Sequence, residues 1–569
     1  MDSAQLYSLK WNFRTLPKAV LNLSFDAKYN FRSTSSTWCV LGFLALQAVA
    51  VDPLVKLKYA SYKGTPLKNG VTQWLGLHYA AKPTKDLRFA APADIDIENK
   101  EYQADTRRPS CIGVENEATD SGHSEDCLYL NVYAPSDAKP DAKLAVFFYI
   151  QGGGFSNQGQ APNGTNLVTR SDKRMIVVTI AYRVAAYGFL NGEPSGKKGE
   201  GKKAWSNNNG LKDQAKALRW VKDHIESFGG NKDHIVIGGS SAGGGCVIHH
   251  LINPETQNLV AGAITSSAAW PAIYDRKDGQ YQFEEIAKAA KCDSDSDKLA
   301  CMRRKDTKEF QAAIHNLILP FPGGRGKPLF MYSPSVDGGL IKENPWTYFD
   351  KPTINKPLLI GNDGFDGLGF TPKSISSQKA ADEFVQNQYP GLLDKDLKKI
   401  HDLARYKGFI KKNKHREYAA RLYGDIRYAC PNLFVASARE NEKQPIFAYR
   451  WDVGAATHTS ETDAIWYGPA ENAAGSKPPK TDEHHNAARK QVHAHWVSFI
   501  TELDPNPKKE PDAPKWDKAY KGAGLIGDAA IQRLLFTDHG GPPATMEAVG
   551  QEMAEACAFL KGLGAQMKQ

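Results

Sequence analysis

His234-Ile235-Val236-Ile237-Gly238-Gly239-Ser240-Ser241-Ala242-Gly243-Gly244-Gly245 carries the strongest local signal in the chain. A β-branched apolar run, Ile235 to Ile237, breaks at Gly239-Ser240-Ser241-Ala242-Gly243, and Cys246-Val247-Ile248 resumes in a segment able to form a helix. The order is strand, sharp turn, helix. A Gly-x-Ser-x-Gly turn suits a nucleophile elbow because a serine held in a strained conformation needs neighbours without side chains, so that strand and helix pack closely on both sides. Ser241 then stands exposed at the helix N-terminus, where the helix dipole and the free N–H of Ala242 favour an oxyanion forming on an attacked carbonyl. The pentapeptide does not decide the matter by itself, since turns rich in Gly and Ser are common.

Working outward, Lys143 to Ile150 is a near-continuous apolar run, as expected of a strand covered on both faces. It empties into Gln151-Gly152-Gly153-Gly154-Phe155, where glycines expose backbone N–H groups with no Cβ to block a ligand, the natural partner of the Ser241 elbow as an oxyanion hole. Met175 to Tyr182 reads as another buried strand. Leu211 to Phe228 reads as a helix, with Leu211, Ala215, Leu218, Val221, Ile225 and Phe228 on one face and Gly229-Gly230 as its stop. Strand, helix and buried strand in succession predict a βαβ crossover and a mostly parallel sheet with the elbow strand inside it. Val71 to Tyr79 and Asp86 to Phe89 read as short strands of an edge or preliminary sheet, and Ser124 to Tyr133 leads into a further strand. Ala261 to Ser266 is the next strand after the elbow, residues 270 to 350 read as a helical and irregular cap, Pro357 to Ile360 is a strand that ends in Gly361-Asn362-Asp363-Gly364-Phe365-Asp366-Gly367, and Pro445 to Trp451 reads as the last strand.

Length and composition narrow the class. The chain has 569 residues, 41% hydrophobic and 24% charged, as in ordinary soluble globular proteins. No linker, long charge block or fixed-period repeat divides it after residue 51, so it reads as one large α/β unit. The net charge of +9 is modest for that length, and its clearest concentration, Gly196 to Lys203, reads as a solvated loop. No aromatics interleave with those lysines, which excludes a nucleic-acid surface. Gly196-x4-Gly201-Lys202 is followed by Lys203 where a phosphate loop needs Ser or Thr, so no nucleotide site follows.

In order along the chain, Glu125-Asp126-Cys127-Leu128-Tyr129-Leu130-Asn131-Val132, Gly152-Gly153-Gly154-Phe155, Gly210-Leu211-x-Asp213-Gln214, Phe228-Gly229-Gly230, Ser241-Ala242-Gly243-Gly244 and Asp504-Pro505-Asn506 resemble the blocks of the type-B carboxylesterase family. That family of α/β hydrolases includes cholinesterases and fungal lipases, and the resemblance covers about residues 55 to 560. It implies the α/β-hydrolase fold, a large, mostly parallel sheet flanked by helices with a helical cap. It also implies a serine hydrolase without metal or organic cofactor: Ser241 as nucleophile, His458 as general base, Asp366 as the acid that orients it, and Gly153, Gly154 and Ala242 as the oxyanion hole. Asp363 is the rival to Asp366, because both follow one strand; the family spacing favours Asp366. The chain departs from the family pattern in Asp366 itself, where Glu is usual, in Ser240, where a Glu usually precedes the serine, and in Gln151, where His or an apolar residue is frequent.

The resemblance pairs Cys111 with Cys127, Cys292 with Cys301 and Cys430 with Cys557, leaving Cys246 as a buried free thiol; Cys39 falls in the N-terminal segment. Trp38 to Val51 is too short an apolar run to span a bilayer as a helix, and it ends in Ala48-Val49-Ala50. Residues 1–50 therefore read as a secretory signal with a long basic leader, residues 51–569 as the hydrolase domain, and Asn163-Gly164-Thr165 as a glycosylation site of a secreted protein. A signal anchor, a mis-assigned start and a buried helix hairpin remain alternatives for the leader. His484, His485, His493 and His495 read as a solvated helix face rather than a metal site, and His249 and His250 as packed or capping residues. The loop Ile112 to Asp126 carries no aromatic ring to hold a choline cation, whereas Trp270, Pro271 and Tyr274 offer apolar surface for an acyl pocket. The expected substrate is an uncharged short or medium acyl ester. A triacylglycerol lipase acting at an interface is the runner-up, and a non-catalytic binding member of the same fold is the third reading. Oligomeric state is not legible.

Overall fold

The computed structural model describes residues 52–118, 122–194, 198–350, 354–437, 444–467, 483–519 and 530–569. The signal reading of residues 1–50, with Cys39, lies outside them. The central sheet is built, in chain order, from β1 (Thr65–Pro66), β2 (Val71–His78), β3 (Tyr129–Pro135), β4 (Leu144–Ile150), β5 (Met175–Ile180), β6 (Gly230–Ser240), β7 (Gly262–Ser266), β8 (Leu358–Asp363), β9 (Ile446–Asp452), β10 (Gln532–Thr537) and β11 (Ala544–Ala548). Their order across the sheet is β1-β2-β3-β5-β4-β6-β7-β8-β9-β10-β11. Strands β4 to β10 run parallel, and β1, β2, β3 and β11 add antiparallel edges. Every residue of β5 is buried, and in β4 only Leu144 is partly exposed, which is why both read as unbroken apolar runs.

The elbow strand β6 pairs with β4 on one side and β7 on the other. Helix α1 (Asn209–His224) covers one face and continues into a 3-10 turn, Ile225–Phe228, stopped by Gly229 at φ +86°. Helix α2 (Ala242–Ile252) leaves the elbow. Residues 270 to 350 hold α3 (Arg276–Ala289), α4 (Lys298–Arg304) and α5 (Thr307–Ile314), followed by irregular chain. This cap is broken into short helices because Asp275, Asp297 and Asp306 each accept a backbone N–H at a new N-terminus. Further on, α6 (His415–Gly424) passes through one π-helical turn, Asp425–Ala429, into α7 (Cys430–Ser437). Helices α8 (Glu483–Glu502) and α9 (Gln551–Leu563) complete the elements that bear on the site. The disulfides Cys111–Cys127, Cys292–Cys301 and Cys430–Cys557 form as the resemblance implied, the last joining α7 to α9. Cys246 is buried and free, and burial pushes its thiol up to about 12.

Three expectations need correction. Asp86 to Phe89 is not a strand: Lys85–Leu87 forms a 3-10 turn, and Phe89 takes φ +63°, which breaks an extended run. Ile446–Asp452 is not the last strand: β10 and β11 extend the sheet beyond it. The solvated histidine face holds only for the start of α8, where His484 is exposed and His485 half-buried against Asp538 at 3.0 Å. His493 and His495 are buried, their Nδ1–H groups donating to the Ile465 and Pro505 carbonyls at 2.8 Å each. Burial lowers both imidazoles to about 4, as it lowers His249 to about 4 and His250 to about 3. These rings stay neutral in the fold but take up protons in the unfolded chain from about pH 6.5 downward, so stability falls with pH between there and about 4. The urea midpoint is therefore expected to drop from pH 7 to pH 5, and a His495→Asn variant, which keeps a donor but cannot titrate, should show a shallower drop. An identical slope in the variant contradicts this assignment.

Candidate functional site

Ser241 sits between β6 and α2 at φ +59°, ψ −127°, a backbone region that a residue with a Cβ rarely adopts. It is held there by its own backbone: its N–H donates to the Ser266 carbonyl at the end of β7, and its carbonyl accepts from Ala269 N–H, both at 2.9 Å. The glycines on either side are required by space. A Cβ on Gly239 would lie 2.5 Å from the Gly243 carbonyl carbon, and one on Gly243 would lie 2.1 Å from the Ile150 oxygen. The elbow helix thus presses directly on the end of β4.

The glycine loop after β4 lies against the elbow, since a Cβ on Gly152 would come within 2.8 Å of Ser241 Cβ. Gly153 and Gly154 take φ +135° and +63°. Among the described residues, the N–H groups of Gly153, Gly154 and Ala242 have no protein acceptor. The departure at Gln151 has a structural use: its side-chain amide donates to the Gly159 carbonyl at 2.6 Å, while the main-chain carbonyl of the same residue, which any residue would offer, accepts the Tyr182 hydroxyl at 2.7 Å. Both bonds fix the loop. The next residue, Arg183, makes a buried bidentate pair with Asp213 of α1 at 2.7 and 2.8 Å, which ties that helix to the same sheet end.

Beyond β8, Asp366 is buried, and its Oδ1 accepts from His458 Nδ1 at 2.6 Å. His458 Nε2 is buried without a partner. Asp363, the rival acid, does not take the imidazole: it accepts the Thr459 N–H at 2.8 Å and the Ser460 hydroxyl at 2.7 Å instead. Asp363, Asp366 and His458 are the grouping among the described residues whose atoms approach within 4.8 Å as metal ligands would. Of the three, His458 and Asp366 are hydrogen-bonded to each other, while Asp363 is engaged by the turn that follows the histidine. Ser241, Asp366 and His458 thus each follow a parallel strand at its C-terminal end, where an open α/β sheet places its site.

Three aromatic rings that sequence reading missed surround this set. Phe370 and Tyr428 approach the His458 ring at 5.0 and 4.5 Å, and Phe330 packs where a side chain on Gly154 would go. Tyr428 reaches the imidazole from the π-helical turn, a device frequent at functional sites. Tyr274, by contrast, lines a 210 Å³ cavity with Phe321, Pro390 and Met567, and Trp270 is buried with its indole N–H toward Asn432 at 3.3 Å. A larger cavity, about 660 Å³, lies behind Asp366 on the acid loop, but its guanidiniums are already engaged, Arg405, Arg450 and Arg533 by Asp425 and Glu547 and Arg421 by the Gly364 carbonyl.

Residues 51–526 match the model of the carboxylesterase family, so the chain belongs to the carboxylesterase family. It is similar to secreted lipase 4 of Gibberella zeae, with 27% identity over 85% of this chain and 91% of that protein. It is also similar to the para-nitrobenzyl esterase of Bacillus subtilis, with 30% identity over 70% of this chain and 78% of that one. The crystal structure of Aspergillus niger EstA superposes with a TM-score of 0.82 at 33% identity, covering 91% of this chain and 99% of EstA. The fold is that of the α/β hydrolases, and the chain is a carboxylic ester hydrolase.

Proposed function

We propose that the chain is a secreted serine carboxylesterase working through a Ser241–His458–Asp366 triad. The observation that carries the reading is the His458–Asp366 contact of 2.6 Å with His458 Nε2 left open, at the same sheet end as the Ser241 elbow. Ser241 Oγ attacks the ester carbonyl as His458 Nε2 takes its proton, and the N–H groups of Gly153, Gly154 and Ala242 hold the oxyanion. Collapse breaks the ester C–O bond, and the alcohol leaves with the proton from His458. Water then attacks the acyl-enzyme by the same route and releases the acid. Asp366 keeps the imidazole in the tautomer that presents Nε2.

Residues 1–50 serve as the secretory segment and 51–569 as the hydrolase domain; three disulfides support an oxidising compartment. Asn163 is exposed, as a glycosylated residue must be. For substrate, the loop closed by Cys111–Cys127 offers no aromatic face to a cation, and Phe330, Phe370 and Tyr428 surround the imidazole with apolar surface. The preferred substrates are uncharged esters of short or medium acyl chains. Apolar pockets separate neighbouring chain lengths by only about 1 to 3 kcal/mol per methylene, so the optimum should be broad. An acyl-length series of p-nitrophenyl esters, measured with and without an emulsified interface, should peak below the long chains and gain little from the interface. A long-chain optimum that needs the interface would make the enzyme a lipase, and preference for choline esters over their uncharged isosteres would refute the loop argument.

A further inference from the structure

Three carboxyl groups surround one imidazole, and the triad uses only Asp366. Asp363 is 1% exposed and Glu461 0%, and the two carboxyls are within hydrogen-bonding range of each other. Their donors are unequally shared. Asp363 Oδ2 accepts the Thr459 N–H at 2.8 Å and the Ser267 hydroxyl at 3.2 Å, and Oδ1 accepts the Ser460 hydroxyl at 2.7 Å. Glu461 receives one hydroxyl, that of Tyr449 on Oε1 at 3.2 Å, and its buried Oε2 has no donor to accept from. Two carboxylates in contact in a dry site do not both stay ionised. One proton remains and belongs to the pair, bridging Asp363 and Glu461, whose Oε2 has no other partner.

The second observation is conformational. Thr459, directly after His458, is held at φ +64°, a left-handed conformation that a β-branched residue adopts only when its surroundings force it. Asp363 supplies that force by taking the Thr459 N–H and the Ser460 hydroxyl together. The position before the nucleophile contributes no carboxylate here: Ser240 is buried, and its hydroxyl has no partner.

We propose that Asp363 and Glu461 act as one unit, a carboxyl pair holding a single proton, which fixes the strained Thr459 turn and thereby sets the position of His458. Both are positioning residues, and the inference rests on the triad reading above. Burial, then the neighbouring carboxylates, pushes Asp363 well above the usual range, and burial pushes Glu461 up as well. The groups that face the pair are Asp366 and His458 from the loops, the neutral Tyr449 hydroxyl of β9 and that of Tyr149 on β4. Arg421 and Arg450 stand with Asp363 around the neighbouring cavity, engaged by the Gly364 carbonyl and by Glu547 and Asp452. With one proton the pair carries one negative charge. Loss of that proton at alkaline pH sets two charges against each other beside Asp366, so the turn loosens and kcat falls.

The experiment follows kcat and KM from about pH 5 to about pH 10 in the wild type, Glu461→Gln and Asp363→Ala, alongside fluorophosphonate labelling. Glu461→Gln replaces the acid by an amide that donates to Asp363 but cannot ionise. It should lower kcat by less than about tenfold and remove the alkaline decline that the wild type shows. Asp363→Ala should lower kcat by about a hundredfold with KM changed by less than about threefold. The proposal is overturned if Glu461→Gln keeps the wild-type alkaline limb, if the wild type has none, or if Asp363→Ala retains wild-type kcat. Should Asp363→Ala not fold, the Glu461→Gln profile decides alone. Wild-type protein in which Ser241 is not labelled would defeat the triad reading itself, whereas labelled Ser241 with an unchanged profile defeats only the carboxyl pair.

Discussion

Replacing Ser241 by Ala is expected to lower the hydrolysis of a p-nitrophenyl ester by at least about 10⁴-fold while leaving the thermal unfolding curve in place. The hydroxyl is the only atom removed, and the elbow is fixed by backbone bonds to Ser266 and Ala269 that alanine keeps. Alanine also carries the same Cβ into the φ +59° conformation, so the strain is unchanged. Residual turnover above the uncatalysed rate should remain, because the N–H groups of Gly153, Gly154 and Ala242 still receive an oxyanion. Activity within tenfold of wild type would mean that the nucleophile lies elsewhere.

The largest expected effect on stability is at Asp213. Its carboxylate meets Arg183 through Nε and Nη2 at 2.8 and 2.7 Å and also accepts the Arg183 N–H at 3.0 Å. Both side chains are fully enclosed. Removing the acid by Asp213→Ala strands a guanidinium in a dry site, left with the Ala90 carbonyl at 2.8 Å as its acceptor. The cost should be about 3 to 5 kcal/mol, read as a fall in the urea midpoint. Exposed pairs such as Lys143–Glu226 should leave the midpoint nearly unchanged in the same assay, and serve as the control. Equal losses at the two places would show that Asp213 is not enclosed as described.

The interior of this fold was legible because its signals are local. An unbroken apolar run such as β4 or β5 has one physical explanation, burial on both faces, and the glycines around Ser241 have one as well, the close crossing of β6 and α2. What escaped depends on partners distant in sequence. Strand β10 hides because Arg533 interrupts its apolar pattern, and it takes Glu547 of β11 to make that arginine tolerable inside. His493 and His495 read as polar surface until the Ile465 and Pro505 carbonyls are known to lie above them. The aromatic wall of the site comes from Phe330, Phe370 and Tyr428, which no spacing rule connects. Likewise, choosing between Asp363 and Asp366 from sequence needed the family spacing, whereas the folded chain separates them by their donors: Asp366 takes the imidazole, and Asp363 takes the turn that follows it.

If Ser241 is a nucleophile activated by His458, covalent labelling will find it. The full-length protein, treated with a fluorophosphonate and digested, should carry the label on the peptide containing Ser241. Labelling should be lost in Ser241→Ala and slowed by about a thousandfold or more in His458→Ala, because the hydroxyl then lacks its base. A label found on another residue, or labelling that survives at the wild-type rate in either variant, would contradict the assignment.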